Sequence, residues 1–486
     1  MLKILNTLSG GKEEFKPISD KVVGIYSCGP TVYGRAHIGN MRSYVFADIL
    51  HKTLEYLGYR VEHVINITDV GHLVSDENEG EDKMEKGARL AGKSPFDIAR
   101  EYENLFWNDL RELNIEKDEF WKTPRATEHI KEQLGMIKTL TEKGFTYETS
   151  DGIYFDTSKF KDYGKLSKQN LEEKLSGARV EAKGEKKNPT DFALWKFCVG
   201  ENSDHIMRWD FEANDLHEAP RLSEEENRAK KIGFPGWHIE CSAMSTKYLG
   251  ERFDIHTGGI DHIPVHHENE IAQSEAVFGH PFVNYWMHNE FVLVDNGKMS
   301  KSLGNVYTLD DLKEKFDVSP LAFRYLCLLT HYRTPLNFTK EAIEAAGIGL
   351  FNLRHQVLLL ANEDGVNDLH LEAVKKYQKE FADNIENDLN TAEALGTLYG
   401  ALADNTLSAK EKLSLCVEFD KVLDLDPTNL IKSADDPKVT TLMQQREEYR
   451  KSRQFDKADE MRLELEKMGY IVEDTAKGTI VYKRME

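Results

Sequence analysis

Residues 21–69 hold the feature that most restricts the fold. Lys21-Val22-Val23-Gly24-Ile25-Tyr26-Ser27 is a short, largely apolar run that breaks at Cys28-Gly29-Pro30. A run bounded in this way predicts a buried strand. From Met41 to Leu57, Val45 and Ile49, and Phe46, Leu50, Leu54 and Leu57, recur at helical spacing, and Gly58 closes the segment. Val61 to Ile67 reads as a second strand ending at Thr68-Asp69. Strand, helix and strand in this order form a βαβ unit, the building block of a parallel sheet. The chain is therefore expected to be α/β. The loop before the helix, His37-Ile38-Gly39-Asn40, is where helix N–H groups point outward and anionic groups bind.

The rest of the chain extends this core. Residues 76–93 are charged, and a helical pattern runs from Pro95 to about Asn114. Residues 115–190 mix short helices and strands and read as an insertion. Asp191-Phe192-Ala193-Leu194-Trp195-Lys196 reads as a return to the core, and 199–232 as a polar surface excursion. A helix is expected from Gly236-Trp237-His238-Ile239-Glu240-Cys241, a strand at Phe253-Asp254-Ile255-His256 and the next strand at Phe291-Val292-Leu293-Val294. Beyond residue 305 the pattern is helical to about 425. The tail reads as one charged helix followed by a hairpin at Gly469–Val472 and Thr479–Tyr482. The expected divisions are 1–114, 115–190, 191–304, 305–344, 345–425 and 437–486.

Composition limits the functional class. A 486-residue chain with 40% hydrophobic and 30% charged residues has a soluble globular profile, with room for about three domains. No apolar run is long enough to span a bilayer, and the first residues give way early to Gly10-Gly11-Lys12-Glu13-Glu14, too soon for a secretory signal. The cytosol is the expected location. Five irregularly spaced cysteines do not form a disulfide framework. A net charge of −21 argues against a generic nucleic-acid coat, while leaving room for a basic track on one face.

Three constellations carry chemistry. His37-Ile38-Gly39-Asn40 joins a strand to a helix, where Gly39 lets a nucleotide approach the backbone and His37 can donate to phosphate. Lys298-Met299-Ser300-Lys301-Ser302 is a cationic loop between glycines, suited to stabilising a phosphate during adenylyl transfer. Cys28, Cys241, His266 and Glu270 make a chemically sensible zinc set, His266 and Glu270 sharing one helix face at i, i+4. They come from three separated segments, so spacing leaves buried thiols and satisfied core histidines as the alternative.

The first two motifs, in this order, resemble the HIGH and KMSKS signatures of class I aminoacyl-tRNA synthetases. The segments Cys28–Tyr33, Gly236–Met244 and His266–Gln273 resemble the cysteinyl-tRNA synthetases, and the likeness extends over most of the chain. The resemblance implies a Rossmann-like catalytic domain split by an insertion, then a helical tRNA-binding domain and a small mixed tail. It implies one zinc per chain on Cys28, Cys241, His266 and Glu270, completed by the substrate thiolate, and Mg²⁺ accompanying ATP. Thr68, Trp237 and His256 match positions near the cysteine substrate; His256, Gly259 and Asp261 match the amino-acid and ribose pocket. His37, Asn40, Lys298 and Lys301 match the catalytic positions, and Gly39 and Ser300 complete the ATP-binding set. The implied partners are L-cysteine, ATP and tRNA(Cys), with no membrane, for a chain expected to act as a monomer.

Asn40 stands where the HIGH motif has its second histidine; it can donate to phosphate but cannot be cationic. The chain after Asp69 departs from the family pattern, as does the longer segment before Gly236, and Val481 replaces a tryptophan common in the family's tail. Gly87-Ala88-Arg89-Leu90-Ala91-Gly92-Lys93-Ser94 fits the Walker A pattern, but Glu79 to Lys86 cannot be a core strand, and the P-loop reading is rejected. Two rivals remain: a cysteine ligase acting on a small amino-sugar acceptor, which the long region after 345 disfavours, and a non-catalytic tRNA- or cysteine-binding paralogue.

Overall fold

A computed structural model describes residues 1–71, 83–168, 185–213, 218–300, 303–362, 371–432, 436–475 and 478–483. They form two compact units: Lys3–Arg111 with Ile115–Phe291, and Glu112–Asn114 with Val292–Glu486.

The first unit is built on four parallel strands in the order Val283–Asn289, Phe253–Gly259, Val22–Ser27, Arg60–Ile65. The two central strands are largely buried on both faces, as strands of a helix-covered parallel sheet are, although Phe253–Gly259 also buries Asp254, His256 and Thr257. The helix Ile38–Tyr56 links Val22–Ser27 to Arg60–Ile65, and Glu268–Phe278 links Phe253–Gly259 to Val283–Asn289. From Val22–Ser27 the sheet grows first toward Arg60–Ile65; the chain returns later on the other side with Phe253–Gly259. The order reverses between these two central strands, and at their carboxyl ends such a sheet opens a crevice.

Both sheet edges are covered. Asn6 accepts from the Trp286 N–H at 3.1 Å and donates to the Asn284 carbonyl at 3.0 Å, tying the hairpin Lys3–Asn6/Gly11–Glu14 to one edge. On the other edge Ile65 donates to the Lys122 carbonyl at 3.0 Å. Unpaired edges would otherwise offer a template for association.

Two strands differ from the sequence expectation. The outer strand of the parallel sheet is Val283–Asn289, whose Asn284 and His288 disguise it as polar; Val292–Val294 belongs to the second unit, between Gly297–Lys298 and Leu336–Phe338. Phe192–Phe197 is fully buried, but it pairs with Gly152–Phe155 and Ile232–Pro235 in a separate five-stranded antiparallel sheet. That sheet also holds Trp209–Asp210, so the 199–232 stretch contributes Met207, Trp209 and Phe211 to a core. Gly87 lies within the helix Lys83–Ala91, not in a strand-to-helix loop, consistent with rejecting the P-loop.

The second unit is largely helical: Leu309–Phe316, Leu321–Leu328, Lys340–Ala361, Leu371–Glu386, Thr391–Ala403 and Ala409–Leu423. Its tail has two helices, Pro437–Lys451 and Phe455–Lys467, where the sequence suggested one. Ser452-Arg453-Gln454 breaks them, with Arg453 at φ 60. The antiparallel hairpin Tyr470–Thr475/Gly478–Lys483 follows. Val439, Leu442, Leu465, Tyr470, Val472 and Val481 form its small core.

Candidate active site

The carboxyl ends of the two central strands supply the first residues of the site. Cys28 follows Ser27 directly, and its N–H donates to the Thr257 carbonyl at 3.4 Å. The chain then turns through Gly29, which is pressed against Asn66: a Cβ on Gly29 would lie 1.5 Å from the Asn66 carbonyl oxygen, so only glycine fits. Asn66 accepts from the Gly29 N–H at 2.8 Å and donates to Thr68 Oγ1 at 3.1 Å. Its Oδ1 lies 3.7 Å from Cys241 Sγ. One buried amide therefore ties Cys28's loop, Thr68 and Cys241 together, a role that the sequence reading missed.

Cys241 comes from the helix Trp237–Leu249, and His266 from a π-helical turn, Ile263–His267, that runs into the helix Glu268–Phe278 carrying Glu270. One donor atom from each of Cys28, Cys241, His266 and Glu270 lies within 4.8 Å of the others. His266 Nε2 is 3.0 Å from Glu270 Oε1 and 3.4 Å from Cys241 Sγ. Its Nδ1 is 2.9 Å from His238 Nδ1. Gln273 in turn donates to the His238 carbonyl at 2.5 Å. The Trp237 ring stacks on His266, centroids 4.4 Å apart.

The electrostatics suit a cation. Burial works against the Glu270 carboxylate, yet His256 and His266 beside it draw its pKa down to about 2. Burial disfavours His266 as a cation, but Glu270 and Cys241 raise it to about 10. Burial also opposes ionisation of Cys241, and its hydrogen bond with Cys28, together with His266, brings it down to about 6. Burial and the Cys241 neighbour push Cys28 the other way. Two thiols, a carboxylate and an imidazole converging without a lysine or arginine among them fit a tetrahedral borderline metal such as zinc. Burying such anionic donors is costly unless a cation pairs with them.

His256, the third residue of the expected cysteine pocket, is fully buried with Nε2 3.0 Å from Glu270 Oε2. Thr68 is buried, Trp237 half-buried, and Gly259 ends the strand beside the exposed Asp261. His37 caps the helix Ile38–Tyr56. Its Nδ1 accepts from the Asn40 N–H at 3.3 Å, and Asn40 Oδ1 accepts from the His37 N–H at 3.1 Å. Asn40 thus closes a reciprocal capping box with its side-chain carbonyl. Gly39 is the second residue of that helix.

Lys298 and Ser300 belong to the second unit. Lys298 is exposed; its carbonyl accepts from Asn305 Nδ2 at 3.1 Å, and Asn305 Oδ1 accepts from the Ser300 N–H at 2.8 Å. Asn305 thereby closes the loop on itself. Lys301 lies outside the described residues.

A parallel sheet with a switch-point crevice, a capped nucleotide-type helix start and a Lys-Met-Ser-Lys-Ser loop define a class I aminoacyl-tRNA synthetase, and the matches agree. The family described as "tRNA synthetases class I (C) catalytic domain" matches residues 14–213 and 223–347. The fold is shared with the methionyl-tRNA synthetase of Mycobacterium tuberculosis in complex with methionyl-adenylate, at TM-score 0.54 and 14% identity over 87% of this chain and 94% of that one. It is also shared with the LeuRS agnB2 of Agrobacterium radiobacter K84, at TM-score 0.57 and 12% identity over 85% and 84%.

The "Cysteinyl-tRNA ligase anticodon binding domain" family matches residues 436–481. The cysteine--tRNA ligase of Treponema denticola is 42% identical over 100% of both chains, and cysteine--tRNA ligase 1 of Burkholderia lata 44% identical over 98% of this chain and 96% of its own. That of Thermococcus gammatolerans is 40% identical over 100% and 99%. The chain belongs to the cysteine--tRNA ligase family. Neither the small-acceptor ligase nor the non-catalytic paralogue finds support in these full-length matches. Among the described residues no helix is long and apolar enough to cross a membrane.

Proposed function

We propose that this chain activates L-cysteine with ATP and transfers it to tRNA(Cys). A cysteine carboxylate oxygen attacks the α-phosphorus of ATP, forming cysteinyl-adenylate and releasing pyrophosphate. The terminal ribose hydroxyl of tRNA then attacks the activated carbonyl, and AMP leaves. The observation that carries this reading is the convergence of Cys28, Cys241, His266 and Glu270 at the switch point of a chain in this family.

These four residues would hold zinc, which when bound takes the substrate thiol as thiolate and prefers it strongly to the hydroxyl of serine. A pocket working by shape alone separates such near-isosteres weakly. Thr68, Trp237 and His256 would orient the cysteine beside these ligands. His37, with Gly39 at the start of its helix, would donate to phosphate oxygens, and Gly259 with Asp261 would line the ribose. Asn40 spends its carbonyl on the cap, which leaves its amide as the donor. Lys298, Ser300 and Lys301 would meet the negative charge that develops on phosphate, with Mg²⁺ accompanying ATP. The helical unit and tail would take the tRNA, and the enzyme would work in the cytosol as a monomer.

The test is charging of a cysteine tRNA transcript with labelled cysteine, with serine in parallel, alongside Cys241→Ser. We expect ATP-dependent charging by cysteine alone, and loss of bound zinc and of cysteine activation together in the variant. Full metal content with normal activation in Cys241→Ser would overturn the ligand set.

A further inference from the structure

The donor cluster is larger than one metal needs. A second group of four, Cys28, His256, His267 and Glu270, also has one donor atom each within 4.8 Å of the others, and it shares Cys28 and Glu270 with the first. Glu270 meets both groups: Oε1 is 3.0 Å from His266 Nε2 and 4.0 Å from His267 Nε2, and Oε2 is 3.0 Å from His256 Nε2. Cys28 Sγ is 3.3 Å from His267 Nε2 of the second group and is hydrogen-bonded with Cys241 of the first.

The two additional imidazoles are oriented as ligands are. His267 Nδ1 is 2.7 Å from His288 Nε2, and His288 Nδ1 is 2.7 Å from Thr7 Oγ1. If each Nδ1 carries the proton, the chain runs from His267 through His288 to Thr7 and leaves the His267 Nε2 lone pair facing Cys28. His256 lies between two acceptors, Nδ1 3.3 Å from the Thr257 carbonyl and Nε2 3.0 Å from Glu270 Oε2. Outer partners that fix ring tautomers in this way are typical of metal-bound histidines. Gly258 leaves room for the arrangement: a Cβ there would come within 2.6 Å of the His267 ring.

We propose that the cluster contains a second, weaker dication position on Cys28, His256, His267 and Glu270, suited to Zn²⁺ or Co²⁺ and not to Mg²⁺, which seeks oxygen ligands. This rests on the zinc reading above. Because it engages His256, on the side assigned to the substrate, its occupancy opposes cysteine binding, and excess zinc inhibits by competition with cysteine.

The test titrates metal-stripped, full-length protein with Zn²⁺ by equilibrium dialysis with metal analysis, in the parent and in His267→Asn. The expected result is two equivalents in the parent, the second weaker, and one in the variant. In the parent, excess Zn²⁺ should raise the apparent KM for cysteine in pyrophosphate exchange with little change in kcat. A Co²⁺ titration should show a second rise in thiolate-to-metal charge-transfer absorption, because Cys28 is shared. Saturation of the parent at one equivalent overturns the second position and leaves the zinc reading intact; no bound equivalent overturns both. Two equivalents retained by His267→Asn also overturn it, since the second ion would then lie elsewhere.

Discussion

Cys28 and Cys241 are chemically identical, yet their surroundings drive them apart, one thiol up and the other down. The ring that tips Cys241 is His266, and the residue that fixes that ring is His238, 2.9 Å from its Nδ1. His266 presents Nε2 to the cluster only if Nδ1 keeps its proton, and His238 is positioned to accept that proton's hydrogen bond. His238→Leu is therefore expected to weaken zinc binding about 10–100-fold, read as faster metal loss to a chelator with unchanged far-ultraviolet circular dichroism. His238→Asn, whose Oδ1 can take the place of Nδ1, should recover part of the affinity; equal loss in both variants would make the role one of packing. His238 stands within a segment that the sequence singled out, but nothing in a linear pattern says which nitrogen faces which. The same applies to Asn66, an amide between two strands' ends whose work is visible only once Gly29 and Cys241 are beside it. Cys28, Cys241, His266 and Glu270 were legible as a chemically coherent set. Their convergence was not, because it depends on a sheet that brings residues 28 and 241 together from distant parts of the chain.

Elements show the same division. The βαβ unit was legible because a buried strand and an amphipathic helix have different periods. Val283–Asn289 was not, because an outer strand lined by hydrogen-bonding side chains such as His288 loses its apolar signature. The π-helical turn Ile263–His267 had no signal at all, yet it lets adjacent residues, His266 and His267, serve the two donor groups. The helix Ala409–Leu423 carries a pH-dependent end. Buried Arg324 donates to the Leu423 carbonyl at 2.8 Å, and Arg354 to the Leu425 and Asp426 carbonyls at 2.9 and 3.1 Å, satisfying carbonyls at and beyond its last turn. Asp420 sits in that turn with Asp424 and Asp426 following. Its burial and these neighbours outweigh the Leu425 N–H and Arg324, and its pKa is pushed up to about 7. A carboxyl raised above its unfolded value binds more protons when folded, so its contribution to stability is greatest in acid and is lost as pH rises from about 4 to 7. Asp420→Asn keeps an acceptor for Leu425. It should flatten this part of the profile and leave the variant more stable than the parent at pH 8, by on the order of 1–3 kcal/mol. Urea midpoints from pH 4 to 8 check this; an unchanged difference between the two proteins across that range would clear Asp420 of the effect.

At the scale of the molecule, the chain matches its relatives from end to end, and its last segment has a core of its own. Arg446 is buried against Asp474, with Nη1 3.0 Å from Oδ1 and Nη2 2.9 Å from Oδ2, and it also donates to Thr479 at 2.8 Å, locking the hairpin to the helix Pro437–Lys451. The other face of the hairpin places Ile480 and Tyr482 against Leu358 and Leu430. The segment is thus joined to the helical part by apolar contact, while the switch-point crevice is built wholly within the first unit. A chain ending at residue 432 separates these roles. It should lose on the order of 2–5 kcal/mol from Leu358 and Leu430, now exposed. None of the residues proposed for cysteine activation lies beyond residue 432, so cysteine-dependent pyrophosphate exchange should survive within about threefold. Charging of tRNA should fall by at least about 100-fold in kcat/KM, equivalent to about 2.7 kcal/mol of lost transition-state binding. Retained exchange with lost charging places the tail's contribution in tRNA binding. Parallel loss of both would mean that the tail supports the fold of the whole chain, and the intact exchange signal is what keeps the two outcomes apart.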